Sequence, residues 1–292
     1  MPLSYLKLIR VPQWVKNLFV FVPLLFSLHL FDKDYFLTTL FAFVLFCLAS
    51  SLIYVINDII DIEADKSHPT KKKRPLPAGE ISKKSAIIVV TLLAVLHAIL
   101  LPNFNVEFIY FVTGFIVLNI FYSFWFKHIV ILDVFSIAAG FSIRVLAGAV
   151  VIMVPISSWL ILTTMFISLF LGVMKRHSEL VLIKGDEDAP SRKVLSQYSL
   201  NFADQMATIA AAAVIICYAL YSVSERTVNI FGTENLIYTT PFVVYGIFRF
   251  MYLEYISNKG DNTTKIVFTD VQLIITILAY TTTTILIIYK VF

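Results

Sequence analysis

The sequence predicts an all-α polytopic membrane protein, with about nine transmembrane helices in a single domain over residues 1–292. Three observations predict it. The chain is 59% hydrophobic and 14% charged, where a soluble domain carries about 25% charged residues. The apolar residues come in long runs: Phe36 to Ile56 holds no charge, and about 20 apolar residues cross a bilayer core. The basic residues gather in alternate loops, as they do where one face of a membrane protein is cytoplasmic.

Taken in order, the expected spans are 14–31, 36–57, 85–101, 107–125, 129–152, 157–174, 203–224, 236–255 and 267–290. The first opens on Lys7, Arg10 and Lys16, a basic start that resembles a signal peptide. No small-residue cleavage site follows, and Pro12 and Trp14 sit where an interfacial anchor would, so the expectation is a retained first helix. No linker rich in Gly, Pro or Ser divides the chain. The second and sixth spans each end in a charged motif and a polar loop, a faint internal repetition. Of the 23 basic residues, those before the first span and in the loops after the even-numbered spans predominate. Only Lys33, Arg226 and Lys290 fall on the other side. The expected topology therefore places the N-terminus and the charged loops in the cytoplasm and the C-terminus outside. With no organelle-targeting pattern, the expected location is a bacterial or archaeal plasma (inner) membrane, crossed many times.

Cys47 and Cys217 lie inside apolar runs, which excludes a disulfide framework. The five histidines are scattered, which leaves zinc without a site.

The chemistry gathers after the second span, in Asn57-Asp58-Ile59-Ile60-Asp61-Ile62-Glu63-Ala64-Asp65. If the helix continues, Asp58, Asp61 and Asp65 fall at i, i+3 and i+7 on one face, with Asn57 one turn from Asp61. Carboxylates this close repel unless a cation sits among them. Hard oxygen ligands suit magnesium, which is commonly shared with substrate phosphates. Asn57, Asp58, Asp61 and Asp65 are thus the candidate metal and diphosphate ligands, with Asp58 and Asp61 the candidate catalytic pair. The bland account is a polar helix end neutralised by the cations Lys71 to Arg74.

That basic run serves topology first, since anionic lipid attracts each such residue by about 1 kcal/mol. Arg74 stands apart because Pro75-Leu76-Pro77 stiffens the chain beside it, which makes it a candidate phosphate clamp. Trp14 is explained as an interfacial anchor, while Lys16 and Asn17 sit deeper and are candidates to face a substrate. Tyr122, Lys127 and Asp133 surround the short loop between the fourth and fifth spans. Arg144 lies three turns beyond Asp133, on a similar face. A charge inside a span marks a site or a paired structural role, and both readings stay open for Arg144. Gly140, Ala147 and Gly148 in the same span allow close helix packing. The sixth span ends in Lys175-Arg176-His177-Ser178-Glu179-Leu180, read either as a solvated end with an i,i+4 pair or as an anion-binding patch. The run Asp186-Glu187-Asp188 lies further out and reads as solvated.

At these residues the chain resembles the UbiA superfamily of intramembrane prenyltransferases. The likeness covers most of its length, and the N-D-x-x-D-x-x-x-D motif carries it. The resemblance implies a helical bundle around a central cavity with a polar cap on the cytosolic side. It implies that Asn57, Asp58, Asp61 and Asp65 bind magnesium and a diphosphate donor. Where the aromatic prenyltransferases of the family carry a second D-x-x-x-D motif, this chain has Lys175-Arg176-x-x-Glu179. That departure, with Pro12-Gln13-Trp14-Val15-Lys16-Asn17 and His68-Pro69-Thr70, is similar to the branch of decaprenyl-phosphate phosphoribosyltransferases. Resemblance to that branch implies Mg2+ as cofactor, phosphoribosyl pyrophosphate as donor and a polyprenyl phosphate as acceptor. Lys16, Asn17, Arg74, Tyr122, Lys127, Arg144, Lys175, Arg176 and Glu179 are the expected substrate contacts. No nucleic-acid partner is expected. The alternatives are a prenyltransferase acting on an aromatic or other small acceptor and, from another class, a membrane transporter or lipid carrier. A transporter predicts broken helices at the midplane, whereas these charges cluster at one membrane face.

Overall fold

The computed structural model of the chain describes residues 2–66, 71–185, 193–256 and 269–290. The described residues are helical with no strand, in keeping with the all-α polytopic class. Among them, eight helices are long and apolar enough to cross a membrane. The chain divides into two compact units.

The first unit comprises Met1–Leu24, His29–Lys127 and Ile143–Val154. It opens with α1 (Pro2–Leu8) and an eleven-residue 3-10 segment, Val11–Phe21, that runs into the short α2 (Val22–Leu25). This is the first expected span, and it differs from the expectation: as a shorter apolar helix it is not among the eight. A 3-10 helix rises about 2.0 Å per residue where an α-helix rises about 1.5 Å. Val11–Leu25 therefore reaches roughly 28 Å, close to the thickness of a bilayer core of about 30 Å.

Next come α3 (Lys33–Ile60) and α4 (Ile62–Lys66), then a single 3-10 turn at Lys71–Lys73. They are followed by α5 (Lys83–Leu100) and α6 (Val106–Phe124). Side chains set the starts of the last two. Ser82 accepts the Ser85 N–H and Asn105 the Phe108 N–H, satisfying donors a helix N-terminus leaves open. The α3 helix packs against the 3-10 segment, α5 and α6. Val20, Leu24, Ala42, Phe46, Phe108 and Phe115 close the core with Ala147 of α7 (Leu132–Val151). The next residue of α7 is Gly148, where a Cβ would lie 2.1 Å from the Val20 carbonyl oxygen. Only a glycine lets the two backbones approach so closely, the packing role its place in the sequence predicts.

The second unit comprises Leu25–Leu28, His128–Ser142 and Pro155–Phe292. It holds the start of α7, then α8 (Ser158–Gly185) and a 3-10 turn at Lys193–Gln197. After these come α9 (Leu200–Val223) and α10 (Glu225–Phe231). A 3-10 turn, Asn235–Thr239, leads into α11 (Thr240–Tyr255), and α12 (Val271–Ile288) follows. Along α9, Ala203, Ala207, Ala210 and Ala211 line one buried face. Small residues there let α8 lie close against it. The outward faces of both units stay apolar: Phe41, Leu92, Tyr110, Ile209, Phe248 and Leu278 are all exposed, as lipid contact favours.

The α8 helix runs on to Gly185, so the second charged motif lies within a helix rather than at its end. Cys47 and Cys217 are free and buried. His68-Pro69-Thr70 and Asp186-Glu187-Asp188 lie outside the described residues.

Candidate active site

In the first unit, α3 ends at Ile60 and α4 begins at Ile62. The helical ladder survives the break, because the Asp61 N–H donates to the Asn57 carbonyl and the Asp65 N–H to the Asp61 carbonyl, at 2.9 and 2.8 Å. The i, i+7 relation of Asp58 and Asp65 therefore persists, and both side chains are buried. Their oxygens meet on one atom: Arg74 Nη1 lies 3.1 Å from Asp58 Oδ1 and 2.6 Å from Asp65 Oδ2. Arg10 also pairs with Asp58, its guanidinium lying 4.8 Å from the centre of the Tyr54 ring. Lys71 stands 3.7 Å from Asp65.

A tight loop fixes Arg74. The Ala78 N–H bonds to the Arg74 carbonyl and the Gly79 N–H to the Leu76 carbonyl, with Gly79 at the positive φ of 75° that the turn needs. Leu76 and Ile81 anchor the loop in an apolar cluster with Leu8, Val55 and Ala86. Arg10 itself adopts φ 53° at the start of the 3-10 segment. Its pairing with Asp58 is a site contact where the sequence alone suggests membrane anchoring. The only signal present was the proximity of Pro12, which restricts the chain nearby.

The donor set fits magnesium in kind. Two buried carboxylates already converge on one cationic atom, and Asp61 carries no ion pair with any described residue. Among the described residues no three acids, histidines or cysteines form a complete metal cage. A magnesium site does not need one, because the ion keeps waters and shares substrate phosphates.

Deeper in the first unit, Asn17 is fully buried and engaged by protein groups. It donates to Cys47 Sγ at 3.3 Å and accepts from Ser50 Oγ at 3.2 Å and Arg144 Nε at 2.7 Å. Arg144 lies over the Phe115 ring at 4.3 Å. Arg144 and Asn17 are thus paired with each other inside the first unit. Lys16 is half-buried and has no carboxylate partner among the described residues. Tyr122 lies in the last turn of α6 and Lys127 occupies the following 3-10 turn, Phe126–His128, both half-buried. Neither contributes to the ion pairs around Asp58.

The second unit carries its own cluster. Arg176 has no exposed surface. Its Nε lies 2.9 Å from the equally buried Asp133 Oδ2, and its Nη1 pairs with Glu179. Tyr198 donates to Asp133 Oδ1 and accepts the Ile131 N–H, both at 2.7 Å. Burial, reinforced by the bond to Asp133, pushes the Tyr198 phenol up, so it remains a donor. Arg176 therefore does not present its guanidinium outward: Asp133, 43 positions earlier in the sequence, claims it. Lys175 is exposed on the same helix, and the Glu179 side chain is 26% exposed. Nearby, Ser178 donates to the buried Glu254 at 2.7 Å, and His177 Nε2 stands 3.3 Å from Asp204 Oδ1. Tyr198, Asp204 and Glu254 carried no spacing signal, because each meets α8 only through the fold.

Residues 18–269 match the family model described as the UbiA prenyltransferase family. A Mycolicibacterium smegmatis relative named decaprenyl-phosphate phosphoribosyltransferase is 36% identical over 228 residues, covering 77% of this chain and 71% of its own. A Mycobacterium tuberculosis relative of the same name is 34% identical over 224 residues, 74% of this chain and 72% of its own. A UbiA homolog from Archaeoglobus fulgidus, solved bound to GPP and Mg2+, superposes with a TM-score of 0.69 at 17% identity, covering 98% of this chain and 99% of that one.

Proposed function

The chain belongs to the UbiA prenyltransferase family, and from that premise we propose that it transfers 5-phosphoribosyl from phosphoribosyl pyrophosphate to a polyprenyl phosphate, releasing pyrophosphate. The observation that carries the reading is the pair of buried carboxylates, Asp58 and Asp65, rimmed by Arg10, Lys71 and Arg74. Acids that bind a hard cation beside guanidinium and ammonium groups suit a pyrophosphate. The relatives named for phosphoribosyl transfer supply the donor class.

In this reading Asn57, Asp58, Asp61 and Asp65 hold magnesium with the donor pyrophosphate. Magnesium, when bound, offsets the negative charge that gathers on the leaving pyrophosphate. Arg74, Arg10 and Lys71 exchange part of their pairing with the aspartates for phosphate oxygens, which guanidinium binds in bidentate fashion. An oxygen of the acceptor lipid phosphate attacks the anomeric carbon of the ribose, and the bond from that carbon to pyrophosphate breaks. The attack comes from the opposite face and inverts the centre. The acceptor is already an anion, so no strong general base is required. Lys16, Tyr122, Lys127 and Lys175 are the remaining candidates to orient phosphate groups. Arg144 and Asn17 brace the first unit, and Arg176 braces Glu179. Each unit is assembled from discontinuous segments, and the reading keeps residues 1–292 as one catalytic domain. The site faces the cytoplasm of a plasma membrane, in line with the clustered basic loops.

The test is an assay of purified protein with magnesium, radiolabelled phosphoribosyl pyrophosphate and a polyprenyl phosphate, following label into the organic phase. Magnesium-dependent lipid labelling is the expected result. Absence of labelling across several lipid lengths, with prenyl transfer to a small acceptor instead, would return the chain to the prenyl-diphosphate branch.

A further inference from the structure

We infer that Lys16 seats the phosphate of the acceptor lipid, displaced from the Asp58–Asp65 cluster toward the middle of α3. The inference rests on the phosphoribosyl reading above and deepens it, by assigning one cation to one of the phosphates that the reaction brings.

Lys16, Asp58 and Arg144 all belong to the first unit. The chain on both sides of Lys16 is tied to α3. Trp14 Nε1 donates to Ser51 Oγ at 2.9 Å, while Asn17 donates to Cys47 Sγ at 3.3 Å and accepts from Ser50 Oγ at 3.2 Å. The close approach of Gly148 to Val20 holds the same segment from α7. Lys16 therefore enters the unit beside Cys47–Ser51, near the middle of α3, whereas Asp58 stands near its end. Asp58 is seven residues beyond Ser51 and eleven beyond Cys47, about 10–16 Å along an α-helix. The lysine is half-buried, and its ammonium makes no hydrogen bond or ion pair with any described residue. The charges that act on it are those of Arg144 and Arg10, both cations. An ammonium held in a span beside other cations is costly until an anion joins it, which marks it as a site.

Depth and stereochemistry decide which anion. At the level of Lys16 the outward side chains are apolar: Leu18 and Val44 are both exposed, as residues facing lipid tails are. A phosphate on an isoprenoid chain reaches this level with its tail among such residues, whereas a free sugar phosphate would leave water without that gain. Inversion places the attacking phosphate oxygen and the departing pyrophosphate on opposite faces of the anomeric carbon. As the bond from the lipid phosphate oxygen to that carbon forms, the bond from the carbon to pyrophosphate breaks. With the pyrophosphate at Asp58, the acceptor phosphate must stand off by the width of the sugar, its oxygen about 3–3.5 Å from the carbon. Lys16 supplies a cation at such an offset, its long side chain reaching back from the middle of α3. Arg10, which pairs with Asp58 and acts on Lys16, links the two levels. A lysine binds phosphate as a point charge, and its flexible stem lets the ammonium follow the phosphate during attack.

The experiment uses the purified full-length protein with Lys16→Gln and Lys16→Arg variants. Dissociation constants for farnesyl phosphate and farnesol are measured in detergent by titration calorimetry, without donor. The unaltered protein is expected to favour the phosphate. Lys16→Gln cuts that preference by roughly 10- to 100-fold, the range for a hydrogen bond to a charged group, and Lys16→Arg, which keeps the cation, retains most of it. In the lipid-labelling assay Lys16→Gln raises KM for polyprenyl phosphate and leaves KM for phosphoribosyl pyrophosphate unchanged. Unfolding midpoints of both variants stay with that of the unaltered protein, because the lysine has no protein partner to lose among the described residues. A phosphate preference that survives in Lys16→Gln overturns the inference and leaves a lysine that only reaches for the membrane surface. A rise in KM for phosphoribosyl pyrophosphate alone overturns it too, by assigning Lys16 to the donor's 5-phosphate. So does an equal loss of affinity for both farnesyl ligands or a fallen midpoint, the marks of a structural lysine. These outcomes defeat the inference alone. Failure of the unaltered protein to label lipid from phosphoribosyl pyrophosphate defeats it together with the functional reading.

Discussion

The two charged clusters are built with opposite polarity. In the first unit the carboxylates are buried, Asp58 and Asp65 each at 3% side-chain exposure, and the cations form the rim, Arg10 at 24%, Arg74 at 30% and Lys71 at 32%. In the second unit the cation is buried, Arg176 at 0%, and a carboxylate, Glu179 at 26%, forms the rim. The motif that is acidic in sequence presents guanidinium and ammonium groups. In the motif that is basic in sequence, Arg176 is turned inward and a carboxylate is held at the edge. The charge a motif shows a ligand is set by which member the fold buries, and composition alone does not report it.

The sharpest way to break this comparison is to remove one carboxylate from each cluster. Asp133→Asn removes a buried carboxylate from the fully buried Arg176, and losing one side of a buried pair costs roughly 3–5 kcal/mol. Thermal unfolding in detergent should show it as a large drop in midpoint. Asp58→Asn strips charge from cations that water already screens, so its stability cost is expected at about 1 kcal/mol or less. Its effect falls on turnover instead. Asp58→Asn and Asp61→Asn should each lower lipid labelling by on the order of 10²–10³-fold, as loss of a preorganised electrostatic contact does, with the protein still folded. If Asp133→Asn proves as stable as Asp58→Asn, the contrast in burial is without energetic weight. Near-normal turnover in both aspartate variants would remove the metal role.

How much of the site is legible in the sequence depends on the range of the interactions. The Asp58–Asp65 face can be read because i and i+7 positions stay aligned through the bend at Asp61. The close approach at Gly148 can be read because small residues in a span signal it. The length of the first span cannot, because residue counting assumes the α rise and the segment is 3-10. The inward turn of Arg176 is equally hidden. Its spacing to Glu179 is local, but Asp133, which pairs with it, and Tyr198, which bonds Asp133, come from a different helix and a loop. Arg144 shows the same limit: a charge within a span demands a partner, and that partner, Asn17, is 127 positions away.

Two smaller effects sharpen the comparison from the packing side. Gly148→Ala places a methyl group against the Val20 carbonyl, and overpacking of that kind costs roughly 1–3 kcal/mol. The damage belongs to the first unit, so Asn17–Arg144 should loosen while the Asp133–Arg176 pair of the second unit holds. Tyr198→Phe deprives both Asp133 and the Ile131 N–H of a bond, for about 1–2 kcal/mol. Thermal unfolding in detergent should show it as a smaller drop than that of Asp133→Asn, because the Arg176 pair with Asp133 remains. A Tyr198→Phe protein that melts like the unaltered one would leave the two bonds of Tyr198 without energetic weight.

The smallest stability effect is expected at Lys71. It stands 3.7 Å from Asp65 and is about one-third exposed. At that distance and exposure an ion pair contributes about 0–1 kcal/mol, so Lys71→Gln should leave the unfolding midpoint nearly unchanged. The rim position gives it another role in the comparison. If the first cluster presents cations to the donor, losing one raises KM for phosphoribosyl pyrophosphate and leaves kcat close to its original value, because the contact is made to ground state and transition state alike. The added KM should shrink as ionic strength rises, since screening already weakens the lysine's attraction. A fall in kcat with KM constant would instead place Lys71 on the charge that develops as pyrophosphate departs. A variant with neither change would reduce the working rim of the first cluster to Arg10 and Arg74, the two guanidinium groups in direct contact with Asp58.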